Sequence, residues 1–314
     1  MKALITGING FVGEHLTRLL LESGDEVTGT IVEGAFDDPA VEVTHLDITD
    51  AEATARLIDA VRPDAIYHLA GFSNVGLSWK NPALTFDVNV KGTINLFEAV
   101  RACGLEKTAR FLVIGSSEQY GLVAPEQCPI AETTPLSPSN PYAISKAAQE
   151  QLAALYHKAH GLQTVLVRAF NHIGPKQAPI FVVADFCKQV AEIEAGRREP
   201  VLRVGNLDAA RDFTDVRDIV RAYRALIERG APGEVYNVGQ GASYTVRAVL
   251  DEILSQAKRP VTVETDPAKL RPLDMPLTLA DISKLRAATG WAPRIPLAQT
   301  IADTLDYWRA PTEQ

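Results

Sequence analysis

The sequence predicts an α/β fold: a doubly wound parallel sheet with a smaller, discontinuous C-terminal domain. Three observations carry this. Short apolar runs alternate with helical stretches over roughly the first 170 residues, the pattern of strands buried between two helical layers. The first apolar run leads directly into Gly7-x-x-Gly10-x-x-Gly13 and then a helical pattern. Beyond residue 172 the alternation weakens, as it does where a sheet gives way to a second unit.

Lys2 to Thr6 reads as a buried strand. Gly7-Ile8-Asn9-Gly10-Phe11-Val12-Gly13 follows, with Val12, Leu16, Leu19 and Leu20 on a helical stripe. Glycines there permit a tight turn and let backbone N–H groups approach a pyrophosphate at the helix N-terminus. The placement favours nucleotide binding over a packing turn and makes the sheet Rossmann-type. Glu26 to Val32 is the second strand. Its end would carry an acid for an NAD ribose or an Arg for an NADP phosphate. The expected position is Thr30, the nearest acid is Glu33, and no Lys or Arg lies between Thr28 and Asp38, so the choice stays open. Val41 to Leu46 is a third strand closed by Asp47, which either accepts from an adenine amino group or caps its own turn.

Ala51 to Val61 is helical, and Ala65 to Leu69 is a strand leading to Ala70-Gly71, small enough for a cofactor to lie close. His68 reads as a satisfied core histidine. Pro82 to Cys103 reads as one long helical stretch carrying Asn89 and Gly92. Phe111 to Ile114 is a strand ending in Gly115-Ser116-Ser117-Glu118-Gln119-Tyr120-Gly121. Open α/β sheets bind ligands past the carboxyl ends of their strands, where Ser116 falls; an ordinary polar turn is the alternative.

Pro138-Ser139-Asn140-Pro141 opens a helix from Asn140 to His160. Tyr142 and Lys146 then share a face, one turn apart. A nearby ammonium favours phenolate, so Lys146 is expected to lower the Tyr142 pKa. A phenol tuned in this way exchanges a proton near neutral pH, unlike a free tyrosine at about 10. Of the eight tyrosines, only Tyr142 has Lys at this spacing. His157 and His160 share a helix face without a third ligand, so exposed helix polarity is the expected reading.

Thr164 to Arg168 is a strand. Further on come a helix at Phe181 to Ala195, a strand at Pro200 to Val204, a helix ending near Arg229-Gly230 and a strand at Glu234 to Val238. Helices at Val246 to Ser255 and Leu297 to Trp308 flank a Pro-rich loop, Pro267 to Pro276. The expected division is a dinucleotide-binding domain of residues 1–171, with 212–240 returning to it, and a substrate domain of 172–211 and 241–314.

The 314 residues suffice for a sizeable core, and 46% hydrophobic with 22% charged residues is globular composition. A net charge of −8 argues against nucleic-acid binding. No apolar run spans a bilayer, no signal-peptide pattern opens the chain, and three scattered cysteines suggest neither disulfides nor zinc. A reducing cytoplasm is expected, and no metal.

Thr6-Gly7-x-x-Gly10-Phe11-Val12-Gly13, His68-Leu69-Ala70-Gly71, Asn89-x-x-Gly92-Thr93, Ser116 to Gly121 and Tyr142-x-x-x-Lys146 occur in order. Together they resemble the extended short-chain dehydrogenase/reductase family. The resemblance implies NADP(H) or NAD(H), held by Gly7, Asn9, Gly10, Phe11, Val12, Gly13, Thr30, Asp47, Ile48, Leu69, Ala70, Gly71, Asn89, Tyr142, Lys146 and His172. It implies Ser116, Tyr142 and Lys146 as catalytic groups, with Glu118 beside them. Helices Pro82–Cys103 and Asn140–His160 would form a homodimer interface.

The second half is similar to GDP-sugar enzymes acting on 4-keto-6-deoxymannose. The carriers are Phe170 to Pro175, Gly205 to Asp218, Val235-Tyr236-Asn237-Val238 and Leu270-Arg271-Pro272-Leu273-Asp274. The likeness implies substrate contacts from Ser117, Glu118, Asn171, Val182, Arg203, Arg211, Arg271 and Asp274. A guanidinium fork suits a diphosphate, so Arg211 and Arg271 are the expected cations, with salt bridges to Asp212 or Asp274 as the alternative. The implied reaction reduces the C4 ketone of GDP-4-keto-6-deoxy-D-mannose to GDP-D-rhamnose. Dehydration of GDP-mannose is the alternative, since Glu118 stands two residues after Ser116. A nucleotide-sugar epimerase and a non-catalytic cofactor sensor are the remaining readings.

Overall fold

The computed structural model describes residues 1–269 and 275–310. The chain begins with β1 (Lys2–Thr6), α1 (Phe11–Glu22), β2 (Glu26–Ile31), β3 (Val41–His45), α2 (Ala51–Val61) and β4 (Ala65–His68). Asp50 starts α2 by accepting the Ala53 N–H at 2.9 Å. A short helix, α3 (Val75–Lys80), follows without having been expected from the sequence.

Pro82 to Cys103 is not one α-helix. It is α4 (Pro82–Phe86), a π turn at Asp87–Lys91 and α5 (Gly92–Ala102). The extra residue of a π turn shifts the helical face, and Asn89 lies within that turn, fully buried. β5 (Arg110–Ser116) leads into a 3-10 turn, Ser117–Tyr120. α6 (Pro141–His160) starts as its sequence requires: Asn140 Oδ1 accepts the Ala143 N–H at 2.8 Å, Pro141 fills the first turn and Gly161 ends the helix at φ +76°.

β6 (Gln163–Ala169), β7 (Asn171–Ile173), α7 (Val182–Glu194), β8 (Val201–Val204), β9 (Ala210–Arg211) and β10 (Phe213–Asp215) come next. They are followed by α8 (Val216–Arg229), β11 (Val235–Val238), β12 (Tyr244–Thr245), α9 (Val246–Ser255), β13 (Thr262–Thr265), α10 (Ser283–Thr289) and α11 (Leu297–Arg309). β13 and α10 stand on either side of the Pro267 to Pro276 loop, where the sequence reading placed no element.

Seven parallel strands pair in the order β11-β6-β5-β4-β1-β2-β3. Alternation along β1 sorts the core. Ala3 and Ile5 join Leu16 and Leu20 of α1 and Tyr223 of α8 on one face. Leu4 joins Leu57 of α2, Phe97 of α5 and Ala153 of α6 on the other. A third cluster packs Phe186 of α7, Ile253 of α9 and Leu305 of α11 beside the short β8–β13 pair.

The strand order reverses between β1, whose chain continues to β2, and β4 on its other side. Ligands of open α/β sheets bind at such a switch point. Gly7 and Ala70 meet there: a Cβ on Gly7 would lie 3.0 Å from the Ala70 Cα and N.

Candidate active site at the carboxyl edge of the sheet

Gly7 adopts φ +73°, and the Gly7 and Ile8 N–H groups both donate to the Thr30 carbonyl at 3.0 Å. That left-handed φ and the close approach of Ala70 require glycine. At Gly13 a Cβ would lie 2.3 Å from the Ile8 carbonyl oxygen. Gly10 ends the turn as the N-cap of α1 with no side-chain cap, so backbone N–H groups alone face outward at this terminus. Asn9 Nδ2 donates to the Glu33 carbonyl at 2.8 Å and braces the loop after β2. The Phe11 ring stacks on His172, centroids 5.9 Å apart, which joins the glycine turn to β7. Burial lowers the His172 pKa.

Several expected cofactor residues have other work in the structure. Thr30 is 1% exposed and anchors the glycine turn; the first exposed positions past β2 are Val32 and Glu33. Asp47 caps its own turn by accepting the Thr49 N–H at 2.8 Å. Ile48 is buried against Gly92. Asn89 gives its oxygen to the Phe72 N–H at 2.7 Å and its amide hydrogens to the Phe72 carbonyl and Ser145 Oγ, at 3.1 and 2.9 Å. A side chain held in this way positions the loop after Gly71, with both amide hydrogens taken and one lone pair of its oxygen left. Leu69, Ala70 and Gly71 line the same loop, with Gly71 exposed.

Ser116 ends β5, and its register partner on β6 is Ala169. Its hydroxyl accepts the Glu118 N–H at 3.2 Å, which leaves its proton for another acceptor. The Ser116 hydroxyl stands close enough to the Tyr142 phenol to pull its pKa down. The structure thus brings together a hydroxyl from a strand end and a phenol from the first turn of α6. Glu118 is exposed, and Asn140 Nδ2 donates to its Oε2 at 3.1 Å.

The relation of Lys146 to Tyr142 differs from expectation. Lys146 Nζ donates to the Ile114 carbonyl at 2.8 Å and to Gln149 Oε1 at 3.0 Å. Burial pushes the Tyr142 phenol up to about 12, with the Ser116 hydroxyl pulling it down and Glu118 pushing it further up. Burial lowers Lys146 to about 8. Desolvation of the phenolate outweighs any pull from an ammonium already committed elsewhere.

Asn171 follows directly on the carboxyl edge, two residues past Ala169, and is exposed. Ser117 is half-buried in the 3-10 turn, and Val182 opens α7. Arg203 on β8 lies 3.7 Å from Glu264 of β13. Arg211 donates to the Ala210 and Met275 carbonyls at 2.9 and 2.6 Å. Asp212 is fully buried, accepting the backbone N–H groups of Gln240, Gly241 and Ala280. Arg271 and Asp274 lie outside the described residues.

Sequence reasoning missed the supports of this site. Gln119 Oε1 accepts the Ser116 N–H at 2.7 Å, and Gln149 holds Lys146. A signal existed for Gln149, which stands three residues after Lys146 on the same helical face. His68 is the satisfied core histidine expected, bonded to Thr6 and Thr93 and lowered to about 3 by burial. Among the described residues no cluster of His, Cys, Asp or Glu forms a metal site, and no helix is long and apolar enough to cross a membrane.

The fold and the Ser116–Tyr142–Lys146 grouping define an extended short-chain dehydrogenase/reductase, an oxidoreductase-type enzyme. The chain belongs to the GDP-mannose 4,6 dehydratase family, whose model matches residues 4–304. It is 34% identical to GDP-6-deoxy-D-mannose reductase of Pseudomonas aeruginosa, over 98% of this chain and 97% of that protein. It is 32% identical to GDP-mannose 4,6-dehydratase of Vibrio cholerae, over 96% and 92% respectively. Among solved structures, RMD from Pseudomonas aeruginosa with NADPH superposes with a TM-score of 0.88 at 32% identity, covering 98% of this chain and 99% of that one. UDP-glucose 4-epimerase of Thermus thermophilus with NAD gives 0.88 at 32% identity, covering 99% and 100%.

Proposed function

We propose that this chain binds NADP(H) or NAD(H) and reduces the C4 ketone of GDP-4-keto-6-deoxy-D-mannose to GDP-D-rhamnose. The observation that carries the reading is the Ser116–Tyr142 pair, with the phenol held in its acid form by burial. Reduction at C4 ends with a proton delivered to the new alkoxide, and a protonated phenol supplies it. The near end-to-end match to the Pseudomonas reductase supports the same direction.

The glycine turn fits a dinucleotide: its left-handed Gly7, uncapped helix terminus and missing side chains leave backbone N–H groups open to a pyrophosphate. A reduced nicotinamide, when bound, supplies hydride. Ser116 donates its free proton to the carbonyl oxygen as charge builds there, and Tyr142 protonates it. One oriented donor of this kind lowers the barrier by about 3 kcal/mol. Lys146 has two of its three donors committed and offers the third to the nicotinamide ribose. Arg211 and Arg271 are the proposed diphosphate cations, with Asn171 and Asp274 as sugar contacts. A dimer through Pro82–Cys103 and α6 is part of the reading: Leu84, Phe86, Ile144 and Leu155 are exposed there, with Leu77 and Trp79 exposed on the adjoining α3.

One observation favours a second reading, dehydration of GDP-mannose. Glu118 stands two residues after Ser116, is held by Asn140 and acts electrostatically on Tyr142. The test supplies GDP-4-keto-6-deoxymannose with NADH or NADPH, and separately GDP-mannose with no reductant. Reductant consumption with GDP-rhamnose identified by NMR is expected from the first. A keto sugar formed in the second would overturn the reductase reading.

A further inference from the structure

Lys146 stands at one end of a buried hydrogen-bond chain that begins beneath the glycine turn. Thr6, the last residue of β1, bonds His68 Nδ1 at 2.8 Å, and His68 Nε2 bonds Thr93 Oγ1 at 2.9 Å. Gln149 Nε2 donates to the same Thr93 oxygen at 2.7 Å, and Gln149 Oε1 receives Lys146 Nζ at 3.0 Å. Thr6, His68, Thr93 and Gln149 are each at most 1% exposed and come from β1, β4, α5 and α6.

Counting protons fixes the direction of every link. Thr93 Oγ1 has one proton, and it goes to the Asn89 carbonyl at 2.7 Å, which can only accept. Thr93 must therefore accept from both His68 and Gln149. His68 carries its proton on Nε2, and its Nδ1 accepts from the Thr6 hydroxyl. The Thr6 oxygen in turn accepts the Ala70 N–H at 3.1 Å. With Nε2 of Gln149 committed to Thr93, its oxygen faces the lysine. An inverted amide would set NH2 against an ammonium and an oxygen against a hydroxyl with no proton to give.

We propose that Gln149 is a positioning residue for the reaction, its amide locked by Thr93 and His68 so that its oxygen aims Lys146. This rests on the reading in which Lys146 contacts the cofactor. Among the described residues no carboxylate shares the task. Among the described residues no ion pair involves Lys146, Glu150 is paired with Arg168, and Glu118 acts on Tyr142. Facing Lys146 are neutral His68 from β4, the Ile114 carbonyl from β5 and Tyr142 from its own helix. Gln149 thus supplies one of the two acceptors that stabilise a buried ammonium.

The test compares Gln149→Met and Gln149→Glu, close in size and opposite in effect. Lys146 is titrated by NMR in protein carrying 13C at lysine Cε, and kcat/KM is followed against pH. Met should move the Lys146 midpoint and the basic limb of the profile to lower pH; Glu should move both to higher pH. At pH 7 the Met variant should lose about tenfold in kcat/KM, the effect of one hydrogen bond to a charged group. Thr93→Val, which frees the amide to turn, should shift the midpoint in the Met direction, and Thr93→Ser should restore it. A Lys146 midpoint unmoved in both Gln149 variants overturns the proposal. Shifted midpoints in a protein that reduces no keto sugar would instead overturn the functional reading alone.

Discussion

Gln119 Nε2 donates to Glu150 Oε2 across 2.8 Å, and this bond ties the loop that carries Ser116 to the helix that carries Tyr142. The other end of the Gln119 amide accepts the Ser116 N–H. Glu150 is fixed in turn by a fork from Arg168 of β6, Nε at 2.8 Å and Nη2 at 2.7 Å. The two proposed catalytic hydroxyls, from different elements, thus share one support.

Removing Glu150 should therefore damage both stability and geometry. The Arg168 and Glu150 side chains are only 6% and 12% exposed, so Glu150→Ala strands a buried cation. The expected cost is about 3–5 kcal/mol, read from urea unfolding. The double variant Glu150→Leu/Arg168→Met should recover much of it, since neither charge is then left unpaired. A double-variant loss equal to the sum of the two single-variant losses would show that the pair is not coupled.

The basic limb of the pH profile should belong to the lysine rather than the phenol. Burial brings Lys146 down to about 8 and lifts Tyr142 to about 12. Reduction needs the charged ammonium and the protonated phenol. As pH rises through about 8 the first is lost while the second persists, so kcat/KM should fall there. Initial rates from pH 6 to 10 check this, and a flat profile up to pH 10 contradicts it.

His68 should make the protein acid-sensitive. Its native pKa lies near 3, against an ordinary 6.5 in the unfolded chain. Below 6.5 the unfolded chain binds a proton that the native state refuses, so stability falls with pH across that window. From pH 7 to 5 the loss is about 2 kcal/mol. His68→Gln lacks this group, so its unfolding free energy should drop by that much less over the same interval.

The proposed dimer can be tested at its exposed side chains. Ile144 and Leu155 lie three turns apart on α6, and Trp79 and Leu84 belong to helices packed beside it. Trp79→Glu with Leu84→Glu should shift the sedimentation coefficient from dimer to monomer. A wild-type protein that sediments as a monomer at micromolar concentration removes the proposal.

Much of the fold was legible because it depends on local signals. Asn140-Pro141 and Gly161 bracket α6, and the alternation of Ala3, Leu4 and Ile5 between two cores follows from a two-residue period. The site was legible as residue types at a spacing. What escaped was which groups satisfy which. Asn89 looked like a free polar side chain, yet Phe72 and Ser145 take both hydrogens of its amide and Phe72 donates to its oxygen. Lys146 looked like the partner of Tyr142, yet Ile114 and Gln149 hold it. Those partners come from separate elements, and no sequence period reports a meeting set by packing. β13 was hidden for the opposite reason: all four of its residues are exposed, so no apolar pattern marks it.

Gly121 gives the sharpest check on the Ser116 loop. It sits at φ +68° and ψ −144°, a region essentially restricted to glycine, and a Cβ there would lie 1.8 Å from the Ser137 carbonyl oxygen. The Ser137 N–H donates to the Gln119 carbonyl at 3.0 Å, so this contact brings the chain back from the loop toward the start of α6. Gly121→Ala must push the two segments apart. Gly24 is the control, because it too has a positive φ, +77°, but open space around it. Gly24→Ala should cost only the left-handed strain, about 1 kcal/mol, and leave turnover intact. Gly121→Ala should melt well below it and lose turnover in whatever fraction stays folded, since Ser116 and Tyr142 would no longer meet. Matching melting temperatures and rates for the two variants would mean that the Ser137 contact does not hold the loop in place.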